Sequence, residues 1–196
     1  MLARLLSGPV DRAARGLLGC LLTANDVTVR LTEVEAYGGL GNDEASHAHR
    51  GRTPRNEVMF GPAGHAYVYF TYGMHWCLNV VCGPSGTASA VLLRAGEVVS
   101  GLDTATQRRP TARSPVELAR GPARLCQALG IDRGANGLDL LADGPVRLEA
   151  PSVRVRPSQL SSGPRVGVTG AHDRAWRFWI TADPTVSVYR RHTPRP

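Results

Sequence analysis

The chain predicts a single α+β domain made of short strands, a few helices and one β-hairpin. Three observations lead there. A length of 196 residues suits one domain, able to bury roughly 70% of its unfolded surface without staples. The 22 glycines and 14 prolines favour many turns and short strands over a helical bundle. Apolar residues recur at helical spacing near the N-terminus and with a period of two from Val27 onward.

The first element expected is a helix from about Pro9 to Leu22: Pro9 suits a first turn, and Val10, Ala13, Ala14, Leu17, Leu18 and Leu21 form a stripe. Its arginines resemble those of a transit peptide, but a stripe of this kind is the mark of a docked helix, and no targeting segment is expected. A strand follows from Val27. Strict alternation places Val27, Val29, Leu31, Glu33, Glu35 and Tyr37 on one face, so that an apolar face runs directly into two acids. Burying a carboxylate without partners costs several kcal/mol. Glu33 and Glu35 are therefore either paired with arginines or kept for chemistry, and alternation does not choose between them.

Gly38 to Arg55 reads as an irregular loop carrying Asp43, Glu44, His47, His49, Arg50, Arg52 and Arg55. A run this long without structure of its own points to a functional loop. Its two histidines are too loosely spaced from the acids to specify a metal, and none is expected. Ala66 to Val81 contains two β-rich runs meeting at Tyr72-Gly73, a hairpin with Tyr67 and Tyr69 on one face. Tyr72 falls at its tip, as a core plug or as a wedge for an external partner; burial preferences alone favour the plug. A third apolar run, Ala88 to Leu93, closes in Arg94, which with Glu35 could form one buried ion pair. Gly101 to Arg120 is polar and reads as a surface connection. Pro122 to Leu129 reads as a short helix stopped by Gly130, and Val146–Leu148, Arg165–Thr169 and Arg177–Thr181 as strands. No repeat or domain boundary interrupts residues 1–196.

Composition narrows the function. The net charge is +7, and all 23 basic residues are arginine. Such a surface suits a polyanionic partner, while a lysine-free, arginine-rich chain is equally the product of a biased genome composition. The absence of lysine excludes a lysine Schiff base and a Walker A loop. Cys20, Cys77, Cys82 and Cys126 form no CxxC pair and read as reduced core residues of a cytoplasmic protein. No stretch is long and apolar enough to span a membrane as a helix.

The chain also carries a resemblance. Thr32-Glu33-Val34-Glu35-Ala36-Tyr37, Asp43-Glu44-Ala45-Ser46-His47, Thr53-Pro54-Arg55-Asn56, Tyr67-Val68-Tyr69, Tyr72-Gly73-Met74, Cys77-Leu78-Asn79, Val91-Leu92-Leu93-Arg94-Ala95, Gly121-Pro122, Leu125-Cys126-Gln127-Ala128-Leu129 and Arg165-Val166-Gly167-Val168 stand in the order of the alkyladenine DNA glycosylase family. The match covers nearly the whole chain. It implies one mixed domain with a curved, mainly antiparallel sheet, surrounding helices and a protruding hairpin, working without a cofactor as a monomer on double-stranded DNA that contains damaged purines, nucleoid-associated in a bacterium.

The resemblance also implies roles. Glu35 is the base that activates water, with Arg94 and the carbonyl of Val166 holding that water. Tyr37 stacks on one side of the flipped base and His47 and Tyr69 on the other, and the backbone around Ala45 and His47 meets its edge. Asn79 crowds the amine of normal guanine. Tyr72 intercalates, reversing the preference for the plug. One more residue separates Tyr37 from Asp43 than in vertebrate members. Two rivals from other classes make different demands: a catalytically silent nucleic-acid-binding module would keep binding without releasing any base, and a small-molecule nucleosidase would need neither the basic surface nor the exposed tyrosine.

Overall fold

The structure is a computed structural model that describes residues 1–191. Helices α1 (Leu2–Leu6) and α2 (Val10–Leu17) lead into strands β1 (Leu21–Ala24) and β2 (Val27–Tyr37), followed by β3 (Ala66–Thr71), β4 (His75–Cys82) and β5 (Ser89–Ser100). Then come α3 (Leu102–Arg108), β6 (Ala119–Arg120), α4 (Pro122–Leu129), β7 (Val146–Glu149), β8 (Leu160–Gly163) and β9 (Arg177–Ile180). The strands form a nine-stranded sheet with central order β3-β4-β5-β2-β1-β7, and all its named pairs are antiparallel. This is the expected α+β architecture.

Several boundaries differ from the sequence expectation. The first long helix stops at Leu17, because Leu18 is extended and Gly19 takes a φ of +85°. Leu21 and Leu22 are therefore strand residues, paired with Arg30 and Val29 through a turn at Asn25-Asp26 in which both residues have positive φ. The third apolar run does not close at Arg94 but continues as β5 to Ser100. Gly101 to Arg120 is more than a connection: it holds α3, a 3-10 turn at Pro115–Glu117 and β6, with Arg109 buried and bonded to Leu118 and Gln127. Arg165 to Thr169 is a loop, because Arg165 and Val166 spend their polar groups on Asp43 and Glu35 instead of a neighbouring strand. Helix Pro122–Leu129 and strand β7 stand as expected.

The largest correction concerns β2, and it positions the site. Val27, Val29 and Leu31 enter the core as alternation predicts, but beyond them Val34 and Ala36 are the core residues. Between β2 and β5, Leu31 faces Gly96 and Glu33 faces Ala95, which leaves Thr32 unopposed; Val34 then faces Leu93, which leaves Arg94 unopposed. Each strand thus carries one extra residue at the same level, and each changes faces there. The core side stays apolar, while Glu33, Glu35 and Tyr37 turn to the opposite face with Arg94. α2 packs against β2 on the core side, and α4 against β4 and β5. Burial of Leu17, Leu22, Leu31, Leu78, Leu93, Leu125, Leu129 and Phe178 supplies the main stabilisation, at about 25 cal/mol per Å² of apolar surface. All four cysteines are buried and free.

Candidate active site

The polar face of β2 forms the floor of the site. Glu33 is wholly buried and accepts hydrogen bonds from Arg94 Nε (2.8 Å), Arg177 Nε (2.7 Å), the Ser187 N–H (2.7 Å) and the Ser187 hydroxyl (3.0 Å). Burial alone would raise its pKa, but Arg94 and Arg177 hold it below the ordinary value. Glu35 is 0% exposed. Its Oε1 accepts from the Val166 N–H at 2.7 Å, and its Oε2 from the Tyr37 hydroxyl at 2.9 Å and Arg94 Nη1 at 3.2 Å. A carboxylate offers about four acceptor directions, so these three donors leave one for a further partner. Burial and then the Glu35 charge push the Tyr37 phenol well above its ordinary pKa, so it remains a donor.

Above the floor lies a pocket of about 520 Å³. Tyr37, Ala45, His47, Tyr69, Tyr72, Asn79, Arg94 and Val166 all line it, and Glu35 lies beneath them without surface of its own. One wall is Tyr37. Behind its ring stands the Arg165 guanidinium, 4.7 Å from the centroid, neutralised by two short bonds to Asp43 (2.6 and 2.8 Å). Arg165 also donates to the Ala36 carbonyl at 2.9 Å. One buried pair therefore fastens the end of β2 to the loop that bears Ala45 and His47. Asp43 further accepts from the N–H groups of Gly38 (2.9 Å) and Ala45 (3.2 Å), and with Arg165 these hold its carboxyl low against the upward pull of burial. At the start of this loop a side chain on Gly39 would run into the Thr87 carbonyl, so only glycine lets it lie against the sheet.

The other wall is aromatic. His47 meets Tyr69 edge-on at 4.5 Å between centroids, and its Nδ1 is 2.9 Å from the Tyr67 hydroxyl. His47 is exposed at the rim, yet its desolvated surroundings and then Arg55 lower its pKa, which keeps the ring neutral near pH 7. Burial also pushes the Tyr67 phenol up to about 12. Asn79 sits across from Tyr67 on the paired strand and donates to its carbonyl at 3.0 Å. The Asn56 amide fixes the loop from beneath by donating to the carbonyls of His47 (2.8 Å) and Gly51 (3.0 Å).

From the pocket edge the β3–β4 hairpin projects. Tyr72 and Gly73 have φ of 51° and 66°, and the Met74 N–H closes the turn on the Thr71 carbonyl at 3.1 Å. A tyrosine held at positive φ costs about 1 to 2 kcal/mol. Tyr72 is 84% exposed, with Met74 beside it at 67%. The core plug that burial preferences favour is thereby overturned: the ring has no core to fill.

The structure brings Tyr37, Ala45, His47, Tyr69, Tyr72, Asn79, Arg94 and Val166 to one pocket over Glu35, and it shows contacts for some of them that the sequence did not indicate. Arg94 is shared between two carboxylates and lies nearer Glu33 than Glu35. Val166, expected to act through its carbonyl, presents its N–H to Glu35. The Ala45 N–H is occupied by Asp43. Sequence reasoning gave no role to Arg165, Arg177, Ser187 or Tyr67; their arginine-rich or apolar surroundings carried no signal, and only tertiary contact reveals them.

Comparison with known proteins completes the identification. A family profile described as methylpurine-DNA glycosylase matches residues 4–184. A Rhodococcus jostii protein provisionally named 3-methyladenine DNA glycosylase is 56% identical over 192 residues, 95% of this chain and 83% of its own. A Streptomyces avermitilis protein of the same provisional name is 56% identical over 194 residues, 95% of this chain and 90% of its own. One from Mycobacterium tuberculosis is 49% identical over 189 residues, 94% of this chain and 91% of its own. A pocket with a buried carboxylate floor and aromatic walls, on a chain matched almost from end to end, belongs to the methylpurine-DNA glycosylase family, and the protein is a DNA glycosylase acting on N-glycosyl bonds.

Proposed function

We propose that this enzyme flips an alkylated or deaminated purine out of duplex DNA and hydrolyses its N-glycosidic bond with water activated by Glu35, acting as a monomer and without cutting the strand. The observation that carries this reading is a wholly buried glutamate with one acceptor direction unfilled, beneath a slot between Tyr37 on one side and His47 and Tyr69 on the other.

Each residue has a task under this reading. Tyr72 enters the helix where the nucleotide has left, offsetting unstacking that costs a few kcal/mol. The slot takes the purine by stacking, worth roughly 1 to 3 kcal/mol per base, and electron-rich rings favour a cationic alkylated base. Because Asp43 neutralises Arg165, the cation behind Tyr37 does not cancel that preference. Asn79, held by the Tyr67 carbonyl, crowds the exocyclic amine of normal guanine. As the bond to the base lengthens, C1′ takes up positive charge. The Glu35 carboxylate stabilises that charge and accepts the proton of the water that adds to C1′, while the bonding electrons leave with the base. Arg94, Tyr37 and the Val166 N–H hold the carboxylate in one orientation. A cationic base leaves without further help; a neutral one must first gain a proton.

The chain contains no lysine, so the common amine for Schiff-base strand cleavage is missing. Borohydride treatment during turnover should trap no covalent enzyme–DNA adduct. The mechanism itself is tested by base release from duplexes carrying 3-methyladenine, 7-methylguanine, ethenoadenine or hypoxanthine. Wild type should release at least one of them, and Glu35→Gln should bind the same duplex without releasing the base. Equal release by both proteins would remove Glu35 from the mechanism.

A further inference from the structure

Beneath the pocket, charges are arranged in a chain: Arg177 to Glu33, Glu33 to Arg94, Arg94 to Glu35. Only the last member would meet the reacting atoms. Arg177 neither lines the pocket nor bonds to Glu35, although β9 places it opposite Glu35 in register. Its Nε donates to Glu33 at 2.7 Å, its Nη2 to the Ser187 carbonyl at 2.8 Å, and its guanidinium lies 4.6 Å over the Trp179 ring. It is buried and held from several sides.

This arrangement serves more than neutrality. Arg94 has two carboxylates to satisfy and is within 3.2 Å of both. Were Glu33 otherwise unpaired, its full negative charge would draw the guanidinium toward itself and leave Glu35 poorly served. Arg177 and Ser187 supply Glu33 with three donors of its own, which weakens its hold on Arg94. We propose that Arg177, acting through Glu33, is the positioning residue that sets how Arg94 is shared between Glu33 and Glu35. The inference rests on Glu35 being the functional carboxylate. The other titratable or charged groups facing Glu35 are Arg94 on β5, Tyr37 on its own strand, Tyr69 on β3, Cys77 on β4 and Arg165 on the loop before β9. None of these is altered by the changes proposed below.

The test is the pH dependence of single-turnover release of 7-methylguanine, a cationic base that needs no proton to leave. Arg177→Met should move the acid side of the profile upward by about one pH unit, because one cation now serves two carboxylates. Arg177→Lys, which restores the charge, should return most of that shift. Glu33→Gln combined with Arg177→Met should bring the acid side back toward wild type, since the competing carboxylate is gone. If Arg177→Met does not fold, Ser187→Ala, which removes only the hydroxyl donor at 3.0 Å, should give a smaller shift in the same direction. A merely structural role predicts lower activity at every pH with an unmoved profile, and a double variant worse than either single one; either result overturns the proposal. Base release by Glu35→Gln would instead overturn the assignment of Glu35, whatever Arg177 does.

Discussion

At the floor of the pocket, Glu33, Glu35, Arg94 and Arg177 lie buried, and charged hydrogen bonds fix each of them in place. At the tip of the hairpin, Tyr72 is 84% exposed, held by one turn bond in a backbone conformation that tyrosine disfavours. The floor spends desolvation free energy to make a carboxylate immobile before substrate arrives. The tip tolerates strain and exposure, a combination that serves function under the proposed reading, in which the ring enters DNA. Stability and function should therefore respond in opposite ways to change in the two regions.

The largest expected effect is at the floor. Glu35→Gln should lower single-turnover base release on the order of 10³-fold with little change in duplex affinity, measured by gel shift beside product formation. Glu33→Gln should act on the fold as well: breaking a buried cluster costs about 3 kcal/mol, visible in urea unfolding. Its pH dependence carries a sign. Because Arg94 and Arg177 hold the Glu33 pKa below its ordinary 4.5, its contribution to stability is complete above that value and is lost as pH falls through the lower folded-state value. Wild type should thus lose stability on acidification below about 4.5 more steeply than Glu33→Gln does.

At the tip the opposite pattern is expected and the effects are smaller. Tyr72→Ala should lower excision from duplex DNA about tenfold while leaving release from a single-stranded substrate nearly unchanged. Tyr72→Gly relieves the positive φ and should raise unfolding stability by about 1 kcal/mol while losing the same activity. A stabilised variant with full duplex activity would erase the contrast between the regions.

How much of this was legible in the sequence follows the same division. The hairpin and its turn were readable because Tyr72-Gly73 interrupts two β-rich runs, a local signal. That the tip stands clear of the core was not legible in the local pattern, since exposure depends on what the hairpin fails to pack against. The two carboxylates were readable as unusual, but their face was misread: alternation assumes an unbroken ladder, and nothing local at Thr32 announces a bulge. Site membership came from the ordered motif blocks. The supports came from neither source. Asp43 with Arg165, and Glu33 with Arg177, join residues more than a hundred positions apart, and in a chain with 23 arginines no pattern marks which ones are buried.

The paired bulge also bears on how this site can change by descent. Thr32 and Arg94 are extra residues at one level of two neighbouring strands, and from the Val29–Val98 pair to the Tyr37–Ala90 pair the ladder keeps the same register on either side of them. Deleting Thr32 alone would put Leu31, Val34 and Ala36 in unbroken alternation on the core side, opposite a strand that still carries its own extra residue at Arg94. The faces of the sheet would survive that loss, whereas losing Arg94 would leave Glu33 and Glu35 buried without the cation they share. The arginine between the two glutamates is therefore kept in place by the burial of charge, and selection for folding alone would resist its removal.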